Sequence, residues 1–465
     1  MSMENTPISE RLHVGIFGRM NSGKSTLLNA ITGQNAALTS PVKGTTTDPV
    51  YKPMELHGVG PVVFIDTAGF DDTGELGEKR IAQTLLAAEK TDVALLVWEP
   101  GTLLTGQPLP EPELRWLRRL RDAGKKCILI LNKTDTISAR TLAVCRARIE
   151  EAVSSLAGTD AASIPILTLS AGSGSVTETV RTAIAGCVPE DFRERTLTGN
   201  LCRAGDAVVL VMPQDIQAPK GRLILPQVRV LRELLDKKCR AFCCTADQFP
   251  HTLRALIAAP ELVITDSQVF ARVRTELNER YGTNAAVTPE TADAADSAGT
   301  PGAADETDSA KRPETADSPA PRLTSFSILL AAEKGDIKLF LEGAHAMKRL
   351  PDGGSILIAE ACTHAPLSED IGTVKIPRLL REKYPGVHIR FVRGADFPDT
   401  LTDENGRPRY DLIIQCGSCM ANRAFVLARQ EKARCAGIPL TNYGLAIAQL
   451  TGILPAVAVP GIESV

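Results

Sequence analysis

The stretch Gly18-Arg19-Met20-Asn21-Ser22-Gly23-Lys24-Ser25 decides the fold. It follows an apolar run at 13–17 and opens a segment rich in Leu and Ala, so the local order is strand, glycine-bounded loop, helix. In that setting the glycines let backbone N–H groups wrap phosphates. Lys24 reaches the β and γ oxygens, and Ser25 binds Mg²⁺. Gly18, Asn21, Ser22, Gly23, Lys24, Ser25 and Thr26 are the candidate phosphate-binding residues.

Working outward, residues 12–185 alternate strand-like and helix-like segments, with buried parallel strands expected at 13–17, 62–66, 93–98, 127–131 and 164–169. Asp66-Thr67-Ala68-Gly69 ends the second of these runs. Asp66 there reaches Mg²⁺ through water, and the Gly69 N–H meets the γ-phosphate. Asn132-Lys133-Thr134-Asp135 ends a later run. A carboxylate at Asp135 accepts two hydrogen bonds from the guanine edge, whereas adenine would leave it buried and unpaired. Ser170 and Ala171 sit where a base-cradling loop belongs. Gly44-Thr45-Thr46-Thr47-Asp48 offers Thr46 as the switch threonine for Mg²⁺. Lys24, Thr46 and Gly69 are the candidate catalytic positions.

This ordered set resembles the Era and tRNA-modification class of translation-factor-related GTPases. Two positions refine it. Phe70 stands where Ras-like enzymes carry a water-orienting Gln, so intrinsic hydrolysis should be slow or need help. Asn21 matches the position that holds K⁺ in potassium-dependent members of the class, where the ion supplies the charge of an arginine finger. Simple loop capping is the other reading of Asn21.

At 465 residues the chain has length for about three domains. Apolar residues make up 43% and charged residues 23%, as in ordinary globular proteins. The net charge of −3 gives no global pull toward nucleic acid. A polar N-terminus and the lack of long apolar runs point to a cytoplasmic protein without a membrane span. Eleven Cys, an odd number, argue for reduced thiols rather than a disulfide framework. Cys127, Cys145, Cys187, Cys202, Cys239, Cys243, Cys244 and Cys435 read as core residues.

Beyond about residue 190 the alternation repeats on a smaller scale. Strands are expected at 207–212, 240–244 and 262–265. A helix is expected at 223–238, with Val228, Leu231 and Leu235 on one face. This block has no ligand cluster and reads as an interaction module. Residues 284–321 are Ala, Thr, Asp, Glu, Pro and Ser with few large apolar side chains, and read as a disordered acidic linker. Strands at 355–360, 387–392 and 410–415 and a helix at 421–436 complete a last α/β domain.

That domain carries Cys362-Thr363-His364 and Cys416-Gly417-Ser418-Cys419, each after an expected strand. If the two strands are parallel neighbours, both clusters meet at one sheet edge. Three chemistries suit the pattern: structural zinc, a redox Cys pair, or three thiolates on a [4Fe–4S] cluster with an exchangeable fourth position. His364 reads equally as ligand, as donor to a ligand, or as a solvated residue.

The combination resembles the FeFe-hydrogenase maturation GTPase family, HydF, over nearly the whole chain outside the linker. The resemblance rests on the GTPase set with Asn21, the middle block, Ala361-Cys362-Thr363-His364 and Cys416-Gly417-Ser418-Cys419-Met420. It implies a GTP-binding domain at 1–188, a small βα dimerisation domain at 189–283, the linker at 284–321 and an iron-sulfur cluster domain at 322–465. Cys362, Cys416 and Cys419 would be cluster ligands. The implied cofactors are GTP, Mg²⁺, K⁺, a [4Fe–4S] cluster and a transient diiron subcluster precursor. The implied partners are a second copy of the chain, two radical-SAM maturases and the apo FeFe-hydrogenase, with neither nucleic acid nor membrane. Gln415 and Ala365 stand where the family usually has His, and Glu360, Glu369 and Asp370 are nearby carboxylates. The linker looks like an insertion that would loosen the coupling between the dimerisation and cluster domains. The reading from another class is an RNA- or ribosome-associated GTPase with a zinc module, which would need a basic aromatic surface. A GTPase-coupled thiol redox protein is a third.

Overall fold

The computed structural model of the chain describes residues 6–33, 49–71, 75–104, 109–156, 164–171, 176–192, 195–213, 223–282, 320–361 and 370–463. It forms two compact units, Met1–Arg195 with Met420–Glu431, and Thr196–Cys419 with Lys432–Val465.

The first unit runs β1 (Leu12–Gly18), α1 (Lys24–Thr32), β2 (Val50–Leu56), β3 (Gly60–Asp66), α2 (Glu75–Lys90), β4 (Val93–Trp98), α3 (Glu111–Asp122), β5 (Lys126–Leu131), α4 (Ala139–Leu156), β6 (Ile166–Thr168) and α5 (Val176–Cys187). The sheet order is β2-β3-β1-β4-β5-β6, parallel except for the antiparallel β2–β3 pair. Every residue of β1 and β4 is buried, because both faces of the sheet are covered. Alternate side chains divide between two cores. Val14, Ile16, Val93, Leu95 and Val97 enter one; Phe17, Ala94, Leu96 and Trp98 enter the other. All the parallel strands therefore end at the same edge, where α/β sheets place ligands. The edge strand β2 was not expected from sequence. Its largely exposed side chains and Pro53 are the marks of an edge strand rather than of a buried apolar run.

The second unit continues with β7 (Ala207–Val211), α6 (Leu225–Asp236), β8 (Arg240–Cys244), α7 (Phe249–Ala255), β9 (Leu262–Thr265) and α8 (Phe270–Tyr281). Then follow β10 (Arg322–Ser325), α9 (Phe326–Lys334), α10 (Ile337–Ala346), β11 (Ser355–Glu360), α11 (Ile376–Lys383), β12 (His388–Arg393), β13 (Leu412–Gln415), α12 (Arg423–Cys435, which as far as Glu431 belongs to the first unit), β14 (Leu440–Asn442) and α13 (Tyr443–Leu450). Two four-stranded parallel sheets result, β10-β9-β7-β8 and β12-β11-β13-β14.

Strand β10, which the sequence assigned to the start of the last domain, hydrogen-bonds to β9 in the middle sheet. Phe326, Leu329 and Leu330 of α9 join Val208, Leu210 and Ile264 in one core. Arg229 makes a two-bond ion pair with Glu333 at 2.9 and 2.5 Å, and Lys375 Nζ donates to the Gln268 carbonyl at 2.7 Å. The expected loosening between the middle and last blocks is therefore corrected, since a strand exchange and a common core tie them together. Most of the acidic stretch, 283–319, lies outside the described residues.

Val230 and Leu234 of α6 turn into the core, while Val228 and Leu235 stand 47% and 59% exposed. The thiols divide as well. Cys127, Cys145, Cys202 and Cys239 are buried as expected, but Cys187 and Cys244 are only partly buried, and Cys243 and Cys435 are exposed. Among the described residues no helix is long and apolar enough to cross a membrane.

Candidate functional site

Gly18 closes β1 and Lys24 opens α1. Between them Asn21 and Gly23 have φ of 62° and 91°, so the loop curls through left-handed backbone and turns successive N–H groups inward, an anion-binding concavity. Lys24 is buried, and its Nζ donates to the carbonyls of Gly18 at 2.9 Å and Arg19 at 2.7 Å. Burial holds its pKa below the usual lysine range, against the opposing pull of Asp66 and Asp71. Ser25 Oγ donates to Asp66 Oδ2 at 2.8 Å. The other oxygen, Asp66 Oδ1, is buried without a hydrogen-bond partner among the described residues. Burial raises the Asp66 pKa, with the Ser25 bond and the Lys24 charge opposing. A carboxylate oxygen left over beside a hydroxyl fits a divalent cation at Ser25 and Asp66. Thr26 is exposed on the first turn of α1. Thr46 lies outside the described residues.

The guanine-side residues converge through Asn132, which is 1% exposed. Its Nδ2 donates to the Ser22 carbonyl at 2.9 Å, and its Oδ1 accepts from the Ala171 N–H at 3.0 Å. One amide thus ties the phosphate loop to the loop after β6. Lys133 has φ 56°, and its Nζ lies 3.0 Å from Glu99. Asp135 is exposed at this edge, and Ser170 is half-buried beside Ala171.

Helix α3 supplies contacts that sequence reading missed. Arg19 meets Glu113, which is 1% exposed, at 2.6 and 3.0 Å. Trp116 stacks on Phe17 at 5.6 Å and on Phe70 at 5.5 Å. Phe70 is therefore a core residue, its ring turned onto Trp116 rather than toward water. A β-carbon on Gly69 would lie 2.6 Å from the Met20 nitrogen, so only glycine lets the end of β3 run this close to the phosphate loop. Glu113 on the otherwise apolar face of an amphipathic helix was the available sequence signal.

In the second unit β11 and β13 are parallel neighbours, with Ala359 opposite Gln415. Their carboxyl ends deliver Ala361 and Cys416 to one edge, where the Ala361 N–H donates to Cys416 Sγ at 3.1 Å. That N–H fixes the direction in which the sulfur points. Ser418 adopts φ 52°, and Gln415 Nε2 donates to its hydroxyl at 3.0 Å, buttressing the Cys-x-x-Cys turn. Lys334, 3% exposed, donates to the carbonyls of Ser418 at 2.8 Å and Cys419 at 3.1 Å. A single lysine buried at the end of the apolar helix α9 was a sequence signal left unread.

Above the turn lies a cavity of about 190 Å³ lined by Cys416, Cys419, Glu360, Asp370, Tyr443 and Asp266, among others. Glu360 accepts from Arg393 Nε at 2.9 Å. Burial, together with the nearby Cys416, Glu360 and Asp370, pushes the Tyr443 pKa well above the usual phenol range. Cys362, His364 and Glu369 lie outside the described residues, and among the described residues no three metal-ligating groups cluster. Cys362 directly follows Ala361, the residue that already touches Cys416 Sγ. Two thiols on a buttressed turn with a third this close in sequence are a donor set that fits an iron-sulfur cluster.

Residues 338–460 match the family described as Hydrogen maturase F tetramerization domain, and residues 197–288 its dimerization domain. Residues 13–133 match the family described as 50S ribosome-binding GTPase. GTPase Der of Thermosynechococcus vestitus is 32% identical over 202 residues, which is 42% of this chain and 42% of that protein. The tRNA modification GTPase MnmE of Thermus thermophilus is 40% identical over 114 residues, 24% of this chain and 25% of that protein. The chain spans less than half the length of these relatives. A structure of Era from Aquifex aeolicus bound to GDP and AlF4⁻ is 20% identical, covering 52% of this chain and 97% of that one with a TM-score of 0.32.

Proposed function

The chain belongs to the hydrogen maturase F family and carries a GTPase domain, and from that premise we propose that it hydrolyses GTP while serving as an iron-sulfur scaffold in FeFe-hydrogenase maturation. Its cargo on this reading is the diiron subcluster precursor, received with the help of radical-SAM maturases and delivered to the apo-hydrogenase. The observation that carries the scaffold reading is the Cys416–Cys419 turn, whose first sulfur is held by the N–H next to Cys362.

In the GTPase half, the left-handed loop at Asn21 and Gly23 presents amides to the phosphates. Lys24, which gives two of its three N–H donors to the Gly18 and Arg19 carbonyls, would neutralise the β and γ oxygens, and Ser25 with Asp66 would hold Mg²⁺. Asp135 selects guanine by accepting from its N–H edge. Phe70, packed on Trp116, has no atom to orient the attacking water. Asn21 would hold K⁺, which would supply the missing positive charge, and Thr46 and Gly69 would complete the γ-phosphate site.

In the scaffold half, Cys362, Cys416 and Cys419 would hold a [4Fe–4S] cluster, which supplies an iron with an exchangeable position. The Ala361 N–H orients the Cys416 sulfur, and Lys334 keeps the turn from unwinding. The cavity bounded by Glu360, Asp370 and Tyr443 would give the cargo a site beside the two thiols. Exposed Val228 and Leu235 on α6 support pairing of two copies through the middle block, and the match of residues 338–460 supports a second interface that joins pairs into tetramers. The RNA-associated reading finds less support, because both blocks after the GTPase domain match hydrogen maturase domains.

Iron, sulfide and zinc content with EPR on anaerobically purified protein tests the proposal, alongside Cys362→Ala, Cys416→Ala and Cys419→Ala. A reducible [4Fe–4S] signal lost in all three variants is the expected result, with GTP hydrolysis faster in K⁺ than in Na⁺. Stoichiometric zinc without acid-labile sulfide, even after reconstitution, would sink the scaffold reading.

A further inference from the structure

The phosphate loop already holds an anion of its own. Asp71, two residues beyond Gly69, accepts from the Met20 backbone N–H through Oδ1 at 2.7 Å. Met20 lies on the loop between Gly18 and Asn21, so this amide belongs to the set that cradles phosphate. Three contacts fix the carboxylate there. Phe70, its neighbour, is pinned in the core by Trp116. The Gly69 backbone runs close enough to the Met20 nitrogen to exclude a β-carbon. Arg19, on the other side of Met20, is tied to Glu113 of the same helix α3.

The Asp71 charge is also felt at Lys24, where it opposes the burial that lowers the lysine pKa. Lys24 itself is folded onto the Gly18 and Arg19 carbonyls. The loop thus satisfies both signs internally. A carboxylate sits on an amide, and an ammonium sits on carbonyls.

We propose that Asp71 is a positioning residue that takes the place of the γ-phosphate at the Met20 N–H, so that GTP must expel it while GDP leaves it in place. Two anions cannot share one amide beside one lysine without mutual repulsion. The Met20 nitrogen lies against Gly69, the residue that the motif assigns to the γ-phosphate, so on this reading a diphosphate ends before the position Asp71 occupies. Expulsion moves the chain at Gly69–Phe70–Asp71, just ahead of α2, and so reports the third phosphate to the rest of the unit. Asp71 thereby lowers affinity for the triphosphate specifically and sets the GTP-to-GDP preference of the site.

This inference rests on the GTPase reading, and the test separates the two. The dissociation constants of a fluorescent non-hydrolysable GTP analogue and of fluorescent GDP are measured with Mg²⁺ on the full chain carrying Asp71→Ala or Asp71→Asn. In Asp71→Ala the analogue binds about tenfold tighter, with GDP changed less than about twofold; a tenfold change corresponds to about 1.4 kcal/mol. Asp71→Asn, which keeps the acceptor but loses the charge, falls between this variant and wild type. An unchanged ratio of the two constants, or equal shifts for both nucleotides, overturns the proposal while leaving the GTPase reading intact. Weaker analogue binding in Asp71→Ala overturns it as well, since Asp71 would then support the bound triphosphate. Failure of the wild-type chain to bind either nucleotide overturns both.

Discussion

The Ala361 N–H lies 3.1 Å from Cys416 Sγ and points at it, joining the end of β11 to the end of β13. Parallel pairing in the register Ala359 to Gln415 produces this contact, since it brings the next residues of both strands to the same edge. The Ala361 backbone thus orients Cys416, and the turn that follows is held by Lys334.

Replacing Lys334 by Met tests that support. The substitution keeps the packing length but leaves the Ser418 and Cys419 carbonyls without their donor. A loss of about 1–3 kcal/mol follows for buried groups deprived of a charged partner. Thermal unfolding of Lys334→Met is expected several degrees lower, with reduced iron retention after desalting. Wild-type melting and iron content would show that the lysine is dispensable.

Asp135→Asn probes base selection. Losing a charged acceptor for the guanine edge costs about 1.5–3 kcal/mol, so GTP binding should weaken by about 10- to 100-fold. The amide adds a donor, which suits the extra oxygen of xanthine. Nucleotide titrations should therefore show a gain for the xanthosine triphosphate against GTP, and an unaltered preference would remove Asp135 from the base site.

Val228 and Leu235 give the test of assembly. Both are exposed on α6, whereas Val230 and Leu234 of the same helix are buried. Asp at both exposed positions places charge in an apolar contact without touching the core. The mass measured by light scattering should fall by half or more at micromolar protein, with the unfolding temperature of the middle block little changed. An unaltered mass would move the interface elsewhere.

Acid stability of the GTPase unit depends on His13 and Asp92. Burial lowers the His13 pKa to about 4 from 6.5, so below pH 6.5 the unfolded chain binds a proton that the native chain refuses. That term removes stability as pH falls toward 4. Burial raises Asp92 to about 6 from 3.8, so between these values the native chain holds a proton that the unfolded chain releases, and stability is lost as pH rises. The two terms oppose each other between about pH 4 and 6. Asp92→Asn removes the second, leaving a loss of about 1.4 kcal/mol per pH unit as pH drops below 6.5. Melting curves from pH 4.5 to 7 should show the variant falling away from wild type on the acid side. Parallel profiles would refute the assignment.

Much of this molecule was legible because its chemistry is local in the chain. The phosphate loop and the Asp66 and Asn132 turns each follow a strand buried on both faces, and such strands read as continuous apolar runs; Ser170 follows the half-buried edge strand β6, which Ile166 and Leu167 still mark. The thiols at Cys416 and Cys419 follow the same rule at β13. What could not be read lies in contacts of long sequence separation. Edge strand β2 carries no apolar run, and β10 leaves the last block to complete the middle sheet. Arg19 reaches Glu113 across 94 positions, and Asp71 reaches Met20 across 51.

Sequence alone determined the alternating α/β architecture, the nucleotide class and the spacing of the cysteines, because backbone periodicity and motif spacing are set by near neighbours. Only the tertiary structure decided which groups those motifs face. It put Phe70 in the core, Lys334 beneath the cysteine turn and Asp71 on the phosphate-loop amide. Side chains find such partners through burial and pairing across the fold, which no local pattern records.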